Sequence, residues 1–189
     1  MKISAGKKVS YNVFFLSMDS SPKFGWPLFG EGNSVFVEEI KAVTSEFFLS
    51  LYHRVGKDYE WTDQFLKSEE DVEAFIRHKD VKFFGLYFDE CLAGFFVLDF
   101  RQPKLCDLSY FGLISDYFGK GLGTYMLRFA ILTAWKEGIK EMIVNTNTLD
   151  HGRALPLYKK NGFNIIKVEK HTRILSNDRV VTKGVSLTK

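Results

Sequence analysis

Ser115-Asp116-Tyr117-Phe118-Gly119-Lys120-Gly121-Leu122-Gly123-Thr124 carries the reading of this chain. Three glycines alternate over five residues, after one apolar run and before another. Glycine lets a backbone approach a ligand closely and adopt positive φ. The run that follows has Leu122, Met126, Leu127, Ala130, Ile131 and Ala134 at helical spacing, and Gly138 sits where a C-cap belongs. A helix from about Gly121 to Glu137 would aim its unpaired N–H groups and the positive end of its dipole at whatever the glycines admit. The loop is therefore an anion site of a size for a pyrophosphate. Neither of two common phosphate loops fits. A dinucleotide fingerprint needs a third glycine where Thr124 stands, and a P-loop needs Ser or Thr where Gly121 follows Lys120.

Outward from the loop, strands and helices alternate irregularly. Val81 to Phe88 and Leu92 to Phe100 are apolar runs joined by Asp89-Glu90-Cys91, which predicts an antiparallel hairpin, and Leu105 to Ile114 continues the meander. After the glycine-loop helix, Lys140 to Asn147 reads as a strand. Asp150 reads as the cap of a short helix ending near Asn161-Gly162, and Phe163 to Val168 and Arg179 to Leu187 read as closing strands. Toward the N-terminus, Tyr11 to Met18 reads as a strand and Ser20 to Asn33 as a loop. Val35, Ile40, Val43, Phe47, Phe48 and Leu51 space out a helix over Val35 to Val55, stopped by Gly56. Ser68-Glu69-Glu70-Asp71 opens another helix with a cap and an acidic first turn. The pattern is one mixed α/β domain spanning residues 1–189.

Totals agree with that size and narrow the partners. The chain of 189 residues is 46% apolar and 26% charged, ordinary for a globular domain. Its net charge of +3, spread along the chain, gives no reason to expect nucleic acid as a partner. Cys91 and Cys106 form no pair motif, and His53, His78, His151 and His171 lie far apart, so no metal-ligand spacing is present. No run reaches the ~18 apolar residues of a membrane span, and the start has no secretory pattern. The expected setting is cytoplasmic.

Two motifs in order now carry a resemblance. The glycine loop resembles the acyl-CoA signature Q/R-x-x-G-x-G/A of the GNAT superfamily. Ala154-Leu155-Pro156-Leu157-Tyr158-Lys159-Lys160-Asn161-Gly162-Phe163 resembles that family's A-x-x-x-Y-x-x-x-G-F element. Asp107-Leu108-Ser109-Tyr110-Phe111-Gly112-Leu113 and Thr148-Leu149-Asp150-His151 are similar to a bacterial subgroup. The likeness runs from about Trp61 to Val168 and is thin before it. Phe118 departs from the pattern at the Gln/Arg position, which leaves phosphate binding to the backbone.

The resemblance implies a GNAT-like α/β fold: a mixed, mostly antiparallel sheet flanked by helices, with acyl-CoA between splayed strands. It implies acetyl-CoA as cofactor, gripped by Phe118, Gly119, Lys120, Gly121, Leu122, Gly123 and Thr124. Phe111 and Leu113 would pair with the pantetheine amides as an added strand would. Asn147, His151 and Tyr158 would complete the cofactor contacts. In the same comparison Asp107 stands at a general-base position, Tyr158 at the position that protonates the leaving sulfur, and the Phe111 N–H where the carbonyl is polarised. Trp61, Tyr110 and Asn145 would meet the amine acceptor. A base has an evident task, since a lysine-like amine costs roughly 4.6 kcal/mol to deprotonate at pH 7.

Plainer duties fit the same residues: a solvated strand Asp, a core Tyr, and Asn and Asp in turns and caps. The expected activity is acetyl transfer to a small-molecule amine by a monomer or homodimer. The alternatives are a protein Nε- or Nα-acetyltransferase and a CoA-binding sensor domain without turnover.

Overall fold

The computed structural model describes residues 2–30, 32, 34–180 and 185–187. Its strands are β1 (Lys2–Ile3), β2 (Lys8–Met18), β3 (Val35–Glu39), β4 (Val81–Phe88), β5 (Cys91–Asp99) and β6 (Leu105–Leu113). They continue with β7 (Glu141–Asn147), β8 (Asn164–Ile174), β9 (Arg179–Val180) and β10 (Ser186–Leu187). The helices are α1 (Ser45–Gly56), α2 (Glu69–Ile76), α3 (Leu122–Lys136) and α4 (Ala154–Lys160). None of them is long and apolar enough to cross a membrane.

One sheet dominates, in the order β10-β2-β7-β6-β5-β4-β3, with β8 on the other side of β2. Every pairing is antiparallel except β6 with β7. The expected hairpin is present. Asp89 (φ 45°) and Glu90 (φ 64°) turn it, both in the left-handed region that a two-residue turn of this twist requires. The N-terminal strand β2 lies inside the sheet: it binds β7 from Val13 to Met18 on one side and β8 from Lys8 to Ser17 on the other.

Each face of the sheet is covered. On one, the stripe Leu122, Met126, Leu127, Ala130, Ile131 and Ala134 of α3 packs on Leu16, Phe96, Leu98, Leu108, Met142 and Val144. On the other, Phe48, Leu51 and Val55 of α1 and Val72 and Ile76 of α2 pack on Phe83, Phe95 and Val97. β5 sends alternate residues into both cores, which explains why its sequence is apolar without a break. Each such side chain contributes roughly 1.5–3 kcal/mol through burial.

Three sequence expectations are corrected. The helix expected over Val35 to Val55 begins only at Ser45, with the Thr44 hydroxyl accepting from the Phe47 amide (3.2 Å). Residues Val35–Glu39 are instead the edge strand β3, paired with β4. Asp150 does not cap α4: Arg153 precedes that helix without a side-chain cap, and the Asp150 carboxylate is engaged elsewhere, as described below. The closing strand expected from Arg179 to Leu187 is two short strands, β9 and β10, and residues 181–184 lie outside the described residues.

Candidate active site

β6 and β7 pair only from Leu105 to Asp107 against Glu141 to Ile143. There β6 bulges: Val97 faces Tyr110 and Leu98 faces Leu108, so Ser109 is the extra residue. A bulge adds local twist and bends its strand, and beyond it β6 parts from β7 while β7 stays bound to β2. A cleft of about 720 Å³ fills the opening, within the usual range for a ligand site. Leu108 to Leu113 form one wall and Val144 to Asn147 the other.

The glycine loop closes one end. Gly119 (φ 80°) and Gly121 (φ 79°) are left-handed, and a Cβ added to either would meet nothing within 4 Å. Gly121 is the N-cap of α3 and offers no side chain to the first N–H groups of that helix. Leu122, Gly123 and Thr124, which carry those groups, line the cleft. Such an end suits an anion. Lys120 is not part of the lining; its ammonium lies over the Phe88 ring, 5.1 Å from the centroid. Phe118 lines the cleft against His151, their ring centroids 5.2 Å apart.

Along the β6 wall the backbone is available. The Ile114 N–H donates to the Ala93 carbonyl of β5 (2.8 Å). Because N–H groups alternate sides along a strand, the amides of Leu113 and Phe111 point away from β5, toward the parted edge. Tyr158 comes up from α4 beneath this edge, its buried ring set edge-on to Phe111 and Phe163, both 5.9 Å away. Burial, with the Asp150 carboxylate adding to it, pushes the Tyr158 hydroxyl far above its usual pKa and keeps it protonated.

Asp107 sits just below the cleft and does not line it. Burial pushes its carboxyl up to about 6, helped by the charge of Asp99, its cross-strand neighbour. Asp99 stays ionised despite its own burial because Arg101 clamps it, Nη2 to Oδ2 at 2.6 Å. Ser109, two residues further along β6, does line the cleft.

The remaining end is aromatic. Tyr52, Trp61 and Tyr110 touch one another, with centroids 5.4, 5.7 and 6.0 Å apart. Gly56 and Gly112 make this possible: a Cβ on Gly56 would lie 2.2 Å from Trp61, and one on Gly112 2.2 Å from Val55. The Trp61 indole N–H donates to Asp150 (3.3 Å), whose carboxylate also accepts from the Thr146 hydroxyl (2.7 Å) and the Asn147 amide (2.9 Å). Asp150 therefore ties the aromatic wall to the β7 wall. Burial raises its pKa against the pull of those donors. Asn147 spends its side-chain oxygen on the Leu149 amide (2.8 Å), and Asn145 is exposed on the same rim.

The cleft thus gathers Trp61, Tyr110, Phe111, Leu113, Phe118, the glycines, Leu122, Thr124, Asn145, Asn147, His151 and Tyr158, leaving Asp107 and Lys120 off its surface. Sequence reasoning did not find Tyr52, Glu60 or Arg173 in the lining. Glu60, next to Trp61, had a faint signal in its position. Arg173 on β8 had none, because only strand order brings it there.

A family model described as "Acetyltransferase (GNAT) family" matches residues 47–163. No curated protein matches the chain. Among solved structures, a putative GNAT-family acetyltransferase from Novosphingobium aromaticivorans is similar at TM-score 0.59 and 16% identity, covering 91% of this chain and 68% of its own. A GCN5-related N-acetyltransferase from Sphaerobacter thermophilus is similar at 0.60 and 11% identity, over 92% of this chain. This chain spans only 53% of that protein. A GNAT-family acetyltransferase from Elizabethkingia anophelis, solved with acetyl-CoA bound, is similar at 0.55 and 17%, covering 70% of this chain and 78% of its own. These likenesses are ones of fold, and they agree with the sequence match over more than half of the residues: the chain belongs to the GNAT family of acetyltransferases.

Proposed function

We propose that this chain transfers the acetyl group of acetyl-CoA to the primary amine of a small molecule. One observation carries the reading: a single cleft joins an uncapped glycine-rich helix start, a strand edge with free amides, and an aromatic chamber. The Elizabethkingia relative holds acetyl-CoA, and a Bacillus subtilis acetyltransferase of the same fold (TM-score 0.50, 19% identity) is a complex with CoA. The groups present here fit such a ligand: backbone donors for a pyrophosphate at Gly119 to Gly123, and a strand-like edge for the amides of a pantetheine arm at Phe111 and Leu113.

Acetyl-CoA supplies the activated thioester. The Phe111 N–H is directed to polarise its carbonyl, a role that fixed backbone donors fill without reorganisation. Asp107 takes the amine proton through water, since its carboxylate does not line the cleft. Tyr158, held protonated, gives a proton to the departing sulfur. The chamber of Tyr52, Trp61 and Tyr110 suits a small acceptor, with Asn145 at its rim. Acetyl-CoA should raise the melting temperature by mass action and NADH should not. Free-thiol release should follow with small amines and not with a panel of lysine peptides. Equal stabilisation by NADH, or release with peptides alone, overturns the reading.

Tyr158→Phe separates an acid from a packing residue. The ring keeps its contacts with Phe111 and Phe163, so the melting-temperature shift with CoA should be retained. Turnover should fall ~10–10³-fold, because the lost donor acts only as the thiolate forms. The defect should shrink with acyl donors whose thiol leaves more easily. Parallel loss of CoA binding and turnover would place the hydroxyl in the fold or in ligand binding instead.

A further inference from the structure

The glycine loop offers a pyrophosphate neutral donors only. The start of α3 adds about half a positive charge, against two negative charges on the ligand. The side chains of the loop do not make up the difference: Lys120 lies over the Phe88 ring, and Phe118 sets an apolar ring on the cleft wall. Arg173, elsewhere on the lining, is held by Glu60 and Asp63 and donates to the Thr62 hydroxyl. Arg153 is placed differently. It lines the cleft and is exposed, and among the described residues its guanidinium has neither a carboxylate nor a hydrogen-bond partner. Two chains of contact fix where it stands. The Arg153 amide donates to His151 Nδ1 (3.2 Å), and the His151 ring rests edge-on against Phe118, the residue before Gly119. One turn along α4, the Leu157 amide donates to the Arg153 carbonyl (3.0 Å), and the Leu157 side chain lies 3.7 Å from where a Gly123 Cβ would be. Arg153 thus sits between neighbours that touch both ends of the glycine loop.

With acetyl-CoA as the cofactor, we infer that Arg153 supplies the cation for the pyrophosphate that Gly119 to Gly123 bind through backbone alone. A guanidinium presents a planar fork that takes two oxygens of a phosphate group at once. The ligand is then held from two elements, by the start of α3 on one side and by the residue that precedes α4 on the other. Arg153 is in this sense a specificity-determining residue: it favours a thioester carried on a pyrophosphate over one carried on a bare pantetheine.

Binding decides this without relying on turnover. CoA and dephospho-CoA, which lacks the 3′-phosphate, are titrated by calorimetry into the full chain. Arg153→Gln should weaken both by the same factor, about 5–30-fold, the size of a charge-assisted hydrogen bond at a solvated rim. That loss should shrink as salt is added. Arg153→Lys, which keeps the charge without the fork, should recover part of it. Lys160→Gln removes an exposed cation from the far end of α4 and should change either affinity less than about twofold. A loss confined to CoA would place Arg153 on the 3′-phosphate. Unchanged affinity for both ligands would leave it a solvated surface residue, and an equal loss in Lys160→Gln would reduce it to a diffuse effect of charge. Each of these overturns the inference. A wild-type protein that binds both ligands while Arg153→Gln binds them as well loses only this inference. One that binds neither loses the acetyl-CoA reading together with it.

Discussion

Asp107→Asn should lower turnover ~10²–10⁴-fold at pH 7, the range for loss of a general base, while making the protein more stable. Both effects come from one placement. Burial and the charge of Asp99 raise the Asp107 pKa from 3.8 to about 6, a difference worth about 3 kcal/mol between its two protonation states. A carboxyl whose folded pKa is raised stabilises the fold below its unfolded pKa, and that contribution is lost as pH climbs through the folded value. At pH 7 the wild type has lost it; asparagine, always neutral, has not. The variant should therefore melt roughly 5–10 °C higher at pH 7, with the gap closing below about pH 4. In the wild type, kcat/KM should fall as pH drops through about 6. The variant should lack that limb and recover some rate at high pH, where the amine ionises unaided. An asparagine variant with an unchanged rate at pH 7 removes Asp107 from the reaction.

Gly121→Val should abolish the CoA-induced rise in melting temperature. Two costs combine at this position. A β-branched residue at φ 79° is strained, and its methyl groups enter the open space at the helix N-cap. Gly138, just past the other end of α3, provides the control: its φ is 72°, and a Cβ there also meets nothing within 4 Å. Gly138→Val should cost similar stability and keep the CoA shift. That shift is about 2.7 kcal/mol when ligand stands at 100 times its Kd, so its disappearance is easily read by thermal denaturation. Loss of the shift in both variants would mean that helix integrity, and not the loop, controls binding.

Much of the architecture was legible because it is local. The hairpin around Asp89 and Glu90, the caps at Ser68 and Gly138, and the stripe of α3 are each set by residues a few positions apart. Val35 to Glu39 misled because Val35, Ile40 and Val43 also fit a helical spacing; pairing with β4, more than forty residues later, decides for a strand. The glycine-loop end of the cleft was readable for the same local reason. At the aromatic end the sequence pointed to Trp61, Tyr110 and Asn145 but not to Tyr52, Glu60 or Arg173, which come from separate segments. Asp150 carried a signal that pointed to the wrong job: an Asp before a helix usually caps it, whereas this one anchors Trp61.

The position of β2 inside the sheet has a consequence for how the chain is made. β2 is made long before its partners: the Ser17 hydroxyl binds Glu141 across 124 residues, and the Asn12 amide binds the Thr148 hydroxyl across 136. Until β7 and β8 have been synthesised, Leu16 and Met18 have no core to enter, and the seam on either side of β2 cannot zip. Such distant pairings make for slow folding and expose strand edges meanwhile. The meander β4-β5-β6 can assemble around nearest neighbours during translation; closure of the sheet, and with it the β7 wall of the cleft, must wait until β7 and β8 emerge.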